Sequence, residues 1–275
     1  MGRFSRSWQM FKASWRVLRS RKELAVFPLL SGAAAVLVAI IFLTPAVFTV
    51  DFDSEGNGAT PGTYILLGAF YLASAYVAIF FNAALISQAH IALKGGDPSV
   101  AGGLRTAGSM AGRLFPWALL SATVSMIIRA IEERLGFLGR IIGGLIGMAW
   151  NLVTYLVLPV MVLESATTKP AVKRSAELFR NTWGENVLGN VGIGAVGFLL
   201  FLPCILLVVL GAAAGGAVAW VCFGLAVLWF LASIIVTSAL SGIYQTALYH
   251  YAAERAVPQE FASADLGHAF PPKRR

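Results

Sequence analysis

The chain has 275 residues, 58% of them hydrophobic and only 12% charged, with a formal net charge of +8. Soluble domains carry about 25% charged residues, and a chain this poor in charge cannot cover a water-facing globule. The composition therefore excludes a soluble domain and places the chain in the membrane class. The basic residues flank apolar runs, which points to an anionic membrane leaflet and away from nucleic acid.

The first 24 residues hold seven Lys or Arg and one Glu. Within them Phe4, Trp8, Phe11, Trp15 and Leu18 recur at spacings of four and three, which predicts a helix with aromatic bulk on one face. Arg3, Arg6, Lys12, Arg16 and Arg19 mostly fall elsewhere on it, a pattern suited to a helix lying in the headgroup layer. Ala25–Val50 then runs for 26 positions without a charge, longer than the roughly 20 residues that span a bilayer. The basic segment and the apolar run are both too long for a typical signal peptide, and no small-x-small cleavage site follows. The run is expected to stay as the first span. Asp51–Gly62 reads as a solvated turn, since its carboxylates have no spacing that favours a metal.

Five further apolar runs follow: Thr63–Leu93, Leu114–Ile128, Ile141–Leu163, Val187–Leu210 and Ala217–Tyr249. The third is short and ends at Arg129. Beyond it Glu133 is placed to pair with Arg129 on a helical extension, and the adjacent Glu132 and Glu133 are a poor acid/base pair. Between the second and third runs, Asp97 and Pro98 form a helix-start signal. Pro159 is expected to kink the fourth span, with Glu164 near Lys169 and Lys173. Cys204 and Cys222 read as apolar packing, with a disulfide as the minor alternative. The segment after Tyr251 reads as a flexible tail ending in Lys273-Arg274-Arg275.

Lys and Arg outside the spans are divided unevenly. Seven lie before the first span, three in Lys94–Arg113, four in Glu164–Asn186 and four in the tail, eighteen in all. The alternate loops hold three, all in Arg129–Arg140. That bias predicts both termini on the cytoplasmic side.

Arg6-Ser-Trp-Gln-Met-Phe-Lys-Ala-Ser-Trp15 aligns without gaps on Arg174-Ser-Ala-Glu-Leu-Phe-Arg-Asn-Thr-Trp183, with eight of ten positions identical or similar. Each copy precedes an apolar run, and a degraded third copy is placed at Pro98–Phe115. The chain reads as one integral-membrane domain, residues 1–250, of three units (about 1–93, 94–163 and 164–250), each an amphipathic helix feeding a two-span hairpin. Interface anchors are Trp8, Phe11, Trp15, Phe179 and Trp183. Headgroup-contacting cations are Arg6, Lys12, Arg16, Arg19, Lys173, Arg174 and Arg180. Bracing of the bundle is the competing role for these helices.

Polar side chains inside spans are costly and mark sites or interhelical bonds. Asn82, Gln88, His90, Asn151 and Gln245 form the candidate intramembrane polar site, with His250 following Gln245. Interhelical hydrogen bonding is the plainer reading. Gly192–Gly197 matches G-x-G-x-x-G, but inside an apolar run it lacks the strand that dinucleotide binding requires. Gly143–Gly147 and Gly211–Gly215 have the spacing that allows close helix contact. No nucleophile set, metal-ligand set or cofactor motif stands out.

Ser7-Trp8, Lys12, Ser14-Trp15, Val17-Leu18-Arg19, Lys22-Glu23-Leu24 and Phe27-Pro28-Leu29-Leu30-Ser31, together with Leu158-Pro-Val, Glu164, Lys173-Arg-Ser175 and Trp183-Gly184, resemble an uncharacterised prokaryotic integral-membrane family, a domain of unknown function. The resemblance covers most of the chain apart from the tail. It implies a polytopic plasma-membrane protein and supplies no activity. The expectation is therefore an all-α polytopic bundle of six transmembrane helices in three hairpins with cytoplasmic amphipathic helices. It is read as non-enzymatic, without cofactor, organising lipids or partner proteins at the cytoplasmic leaflet of a prokaryotic plasma membrane. The alternative is a small-molecule or lipid transporter with a polar site between helices. The expected partners are the bilayer, anionic lipids, and a membrane-protein partner or second copy.

Overall fold

A segment in lipid must satisfy every backbone N–H and C=O within itself, and a helix does so. The computed structural model describes residues 3–49, 61–181 and 183–254. Ten α-helices and no strand occur among the described residues: α1 (Arg3–Ser20), α2 (Val26–Thr49), α3 (Pro61–Leu93), α4 (Val100–Ser109), α5 (Ala111–Arg134), α6 (Gly136–Thr154), α7 (Val157–Leu163), α8 (Thr168–Asn181), α9 (Trp183–Ala214) and α10 (Gly216–Tyr249). A 3-10 turn at Lys22–Ala25 leads into α2, and α10 passes into a π turn at His250–Glu254. Six helical stretches are long and apolar enough to cross a membrane: Lys22–Pro45, Tyr64–Leu93, Ala111–Arg134, Leu138–Leu163, Gly197–Ala214 and Gly216–Glu254. They coincide with the six expected runs, and the architecture is all-α and polytopic.

One run extends as expected and another departs from expectation. The third run lies in a longer helix than its apolar length: the expected helical extension over Arg129–Arg134 is continuous with it, and α5 reaches 24 residues, about 36 Å long at 1.5 Å per residue. Glu and Arg are good helix formers, so the charges extend the helix until Gly136, whose φ of +57° turns the chain. The fourth is broken, not merely kinked. α6 stops at Thr154 and α7 begins at Val157, because the Pro159 ring denies the Tyr155 carbonyl its helical partner. Ser175 of α8 bridges the gap. Its hydroxyl donates to Val153 O at 2.5 Å and accepts from the Leu156 N–H at 3.2 Å.

The described chain forms two compact units. The first comprises Met1–Pro28, Gln88–Val100 and Glu177–Arg275. Here α9 and α10 form an antiparallel hairpin against which α1 packs. Gly215 and Gly216 make its turn with φ of +64° and +56°, a conformation that costs other residues. Gly211 lets the helices close, since a Cβ there would sit 3.0 Å from that of Cys222 and 3.2 Å from Phe223. Pro203 interrupts the α9 ladder, and nearby Trp229 Nε1 of α10 donates to Leu200 O at 2.7 Å. Cys204 lies against Ala226 O (3.5 Å), more than a helical turn from Cys222, and both thiols are free.

The second unit comprises Leu29–Ser87 and Ala101–Ala176. α5 and α6 pair through glycines at every fourth position of α6. A Cβ at Gly139 would come 2.6 Å from Ile131 O, one at Gly143 would overlap Glu132 Cγ, and one at Gly147 would touch Ile128 at 3.7 Å. Gly139, which the expected G-x-x-x-G left out, extends the same face. Trp117 stacks on Trp150 with centroids 6.1 Å apart. Tyr76 of α3 donates to Ala111 O (3.2 Å) and meets Phe115 edge-on, and Phe42 of α2 reaches Phe70 of α3. Val157–Val162 of α7 is buried throughout. Arg129 does not pair with Glu133 among the described residues; its guanidinium lies over the Tyr71 ring, 5.4 Å from the centroid. Glu164 pairs with Arg174 (3.3 Å) in place of Lys169 or Lys173, because Ser175 faces the α6–α7 break and brings its neighbour within reach.

Candidate functional site

Helix α1 buries Met10, Ala13, Ser14, Val17 and Leu18, the i, i+3, i+4, i+7, i+8 stripe of a docked helix. This differs from the aromatic stripe that dominates the sequence. Leu18 is common to both, but Phe11 is half-buried and Trp15 is 42% exposed, the two rings stacked at 6.2 Å. At 3.6 residues per turn, Phe11 and Trp15 lie between the buried stripe and the exposed Lys12, Arg16 and Arg19. One helix thus presents three bands: a face packed on α9 and α10, an aromatic ledge, and a cationic face. The side chains of Arg6, Trp8 and Trp183 lie outside the described residues.

The matched segment of α8 repeats the burial pattern. Leu178 is buried as Met10 is, Phe179 half-buried as Phe11 is, and Arg180 exposed as Lys12 is. Lys173 is exposed, whereas Arg174 engages Glu164.

The densest polar cluster joins the ends of α3 and α10 within the first unit. His90 Nδ1 and His250 Nε2 are 3.0 Å apart, and the rings lie nearly parallel, 15° between planes and 4.7 Å between centroids. His250 Nδ1 is 2.9 Å from Glu254 Oε2, and Lys94 Nζ is 3.9 Å from Glu254 Oε1. His250 is 3% exposed, whereas the Lys94 and Glu254 side chains are 55% and 40% exposed. The π turn at His250–Glu254 closes this group, a backbone form frequent at functional sites. Beside it Gln88, 2% exposed, accepts the Ser99 N–H at 2.8 Å and so holds the entry to α4. Asp97 pairs with Arg21, and α4 starts at Val100. The expected cap at Asp97 with Pro98 in the first turn is thus replaced by an ion pair and a side-chain bond from α3. Gln88→Leu keeps the apolar packing and removes the acceptor; a loss of about 1 kcal/mol is expected, read as a lowered thermal midpoint in detergent.

Of the candidate polar residues, Gln88 and His90 enter this cluster. Gln245 is half-buried on α10 of the same unit. Asn82 is half-buried on α3 and Asn151 is exposed on α6, both in the second unit. Glu254 and Lys94 were absent from the candidates. Glu254 is four residues from His250 and readable as a helical pair, but the pairing of His90 with His250 links positions 160 residues apart. A shared Leu-Ala-Ser 18 residues before His90 and 19 before His250 was the available signal. Among the described residues no group of three His, Cys, Asp or Glu is arranged to hold a metal. Gly192–Gly197 falls inside α9, with no strand before it.

No curated protein and no solved structure matches the chain significantly. A family model does match, over residues 62–258. That range includes the Leu158–Gly184 string noted above and excludes the N-terminal one. The chain belongs to this family, described as a family of unknown function (DUF6159).

Proposed function

We propose that the chain is a non-enzymatic multi-pass protein of a prokaryotic plasma membrane that organises anionic lipids at the cytoplasmic leaflet, with both termini on that side. The observation that carries this reading is Trp15, exposed on a helix whose opposite side is docked, and flanked by exposed Lys12, Arg16 and Arg19. Indole and phenyl rings favour the depth where headgroups meet acyl chains, and each cation near an anionic surface contributes about 1 kcal/mol. The parallel burial of Met10 and Leu178, and of Phe11 and Phe179, supports reading α1 and α8 as copies of one element. Asn151, exposed near the middle of the fourth span, supports a protein partner or second copy within the bilayer, since an unpaired amide in lipid is costly.

The full-length protein, exchanged into mixed phosphatidylglycerol and phosphatidylcholine and examined by native mass spectrometry, is expected to retain the anionic lipid selectively. Trp15→Ala combined with Lys12→Gln, Arg16→Gln and Arg19→Gln is expected to lower that retention about tenfold, three charges partly screened. Equal retention by both proteins would sink the reading.

A further inference from the structure

We infer that α6 pairs in parallel with α6 of a second copy of this chain, through the stripe Ile141, Gly144, Met148 and Asn151. The second copy is the occupant of the Asn151 face. The pairing thus rests on reading Asn151 as a contact within the bilayer, and it is independent of lipid binding by α1.

Asn151 lies 13 residues after Leu138 and 12 before Leu163, the ends of the fourth span. That places it near the middle of a hydrocarbon layer about 30 Å thick. It is exposed, and its amide has no hydrogen-bond partner among the described residues. Lipid offers such a group nothing to bond. A carboxamide carries both N–H donors and a carbonyl acceptor, so it complements itself. Across a two-fold axis the NH2 of each Asn151 donates to the carbonyl oxygen of the other. An isologous contact between identical subunits requires this kind of self-complementarity, whereas a charged side chain would call for an unlike partner.

The spacing of the stripe supplies the geometry. Steps of 3, 4 and 3 residues from Ile141 to Asn151 follow the a and d positions of a heptad. At 3.6 residues per turn the four fall within about 80° of arc, centred about 120° from Gly143. Two copies inserted in the same sense present α6 in parallel about an axis along the membrane normal. Each stripe residue then meets its own counterpart, and a single amide among apolar neighbours fixes the register. Ile141 and Met148 are 48% and 56% exposed. Gly144 is exposed as well, and a Cβ there would meet nothing within 4 Å, whereas one at Gly139 or Gly143 would run into α5. The chain's own α5–α6 seam therefore leaves Gly144 unused. A missing side chain on that other face lets a neighbouring helix approach closely.

The test uses the full-length chain with Cys204 and Cys222 replaced by alanine, in liposomes of phosphatidylethanolamine and phosphatidylglycerol. It carries either Ile141→Cys or Ile142→Cys and is oxidised with copper phenanthroline. Both positions are about equally exposed, but only 141 lies on the stripe. Covalent dimer is expected at 141, and at 142 only what random collision produces. Adding Asn151→Leu is expected to weaken association about tenfold, the worth of interhelical amide bonds in lipid, and Asn151→Gln, which keeps an amide, should retain it. Gly144→Leu should block trapping at 141 as well. Neither Asn151→Leu nor Gly144→Leu should lower the thermal midpoint of the lone copy in detergent, so the loss reads the contact between copies. Equal trapping at 141 and 142, or none at either, overturns the pairing. So does undiminished trapping at 141 in Asn151→Leu. The comparison of 141 with 142 leaves Asn151 and Gly144 in place and stands if those variants do not fold. Retention of anionic lipid is a separate readout that none of these results moves.

Discussion

Gly143→Leu is expected to destabilise the protein by about 3 kcal/mol, the upper range for forcing atoms into a packed seam, while Gly144→Leu leaves stability unchanged or slightly raised. The two glycines are neighbours on α6, yet a Cβ at Gly143 overlaps Glu132 Cγ and meets its Oε1 at 3.1 Å, whereas one at Gly144 meets nothing within 4 Å. Helix pairs in lipid gain little from hydrophobic exclusion and rely on close contact between small residues. The contrast thus reads the α5–α6 seam directly. The measurement is the thermal midpoint of each variant in the same detergent. Equal loss in both would show that the substitution acts through the helix itself and not through the seam.

Ser175→Ala is the second large effect, expected to cost about 2–4 kcal/mol. One hydroxyl serves two backbone groups at the α6–α7 break, Val153 O and Leu156 N–H, and Leu156 is fully buried. Removing it strands both groups at about 1–3 kcal/mol each, reduced where the chain relaxes. The loss should appear as a lower unfolding midpoint and as faster exchange confined to the amides around Leu156. Faster exchange spread evenly over the spans would contradict this local role.

The spans were legible because lipid imposes one rule on every apolar run: it satisfies its own backbone. What local periodicity left open is how runs pack. In α1 two stripes satisfy helical spacing, and only one is bulky; the docked stripe is built partly from Ala13 and Ser14, small residues whose hydropathy says little. Pro159 announced a disturbance, but its form depended on Ser175 arriving from another helix to satisfy the freed groups. Arg129 was readable as helical, while its partner Tyr71 lies on a different span. Gln88 and His90 were visible as polar residues near a span end. Their meaning came from His250 and Glu254, which the chain brings back after six intervening helices.

The placement of α1 in the headgroup layer is most directly tested by nitroxide labels at positions 15 and 16, one per protein, with Cys204 and Cys222 replaced by alanine. The labelled full-length chain is placed in nanodiscs containing phosphatidylglycerol. Collision with oxygen reports lipid, and collision with a water-soluble nickel complex reports solvent. The expected result is a label at Trp15 at the boundary of headgroup and acyl chain and a label at Arg16 in water, although the two positions are adjacent. Equal access of the nickel complex to both would mean that the aromatic ledge faces solvent, and would contradict the account.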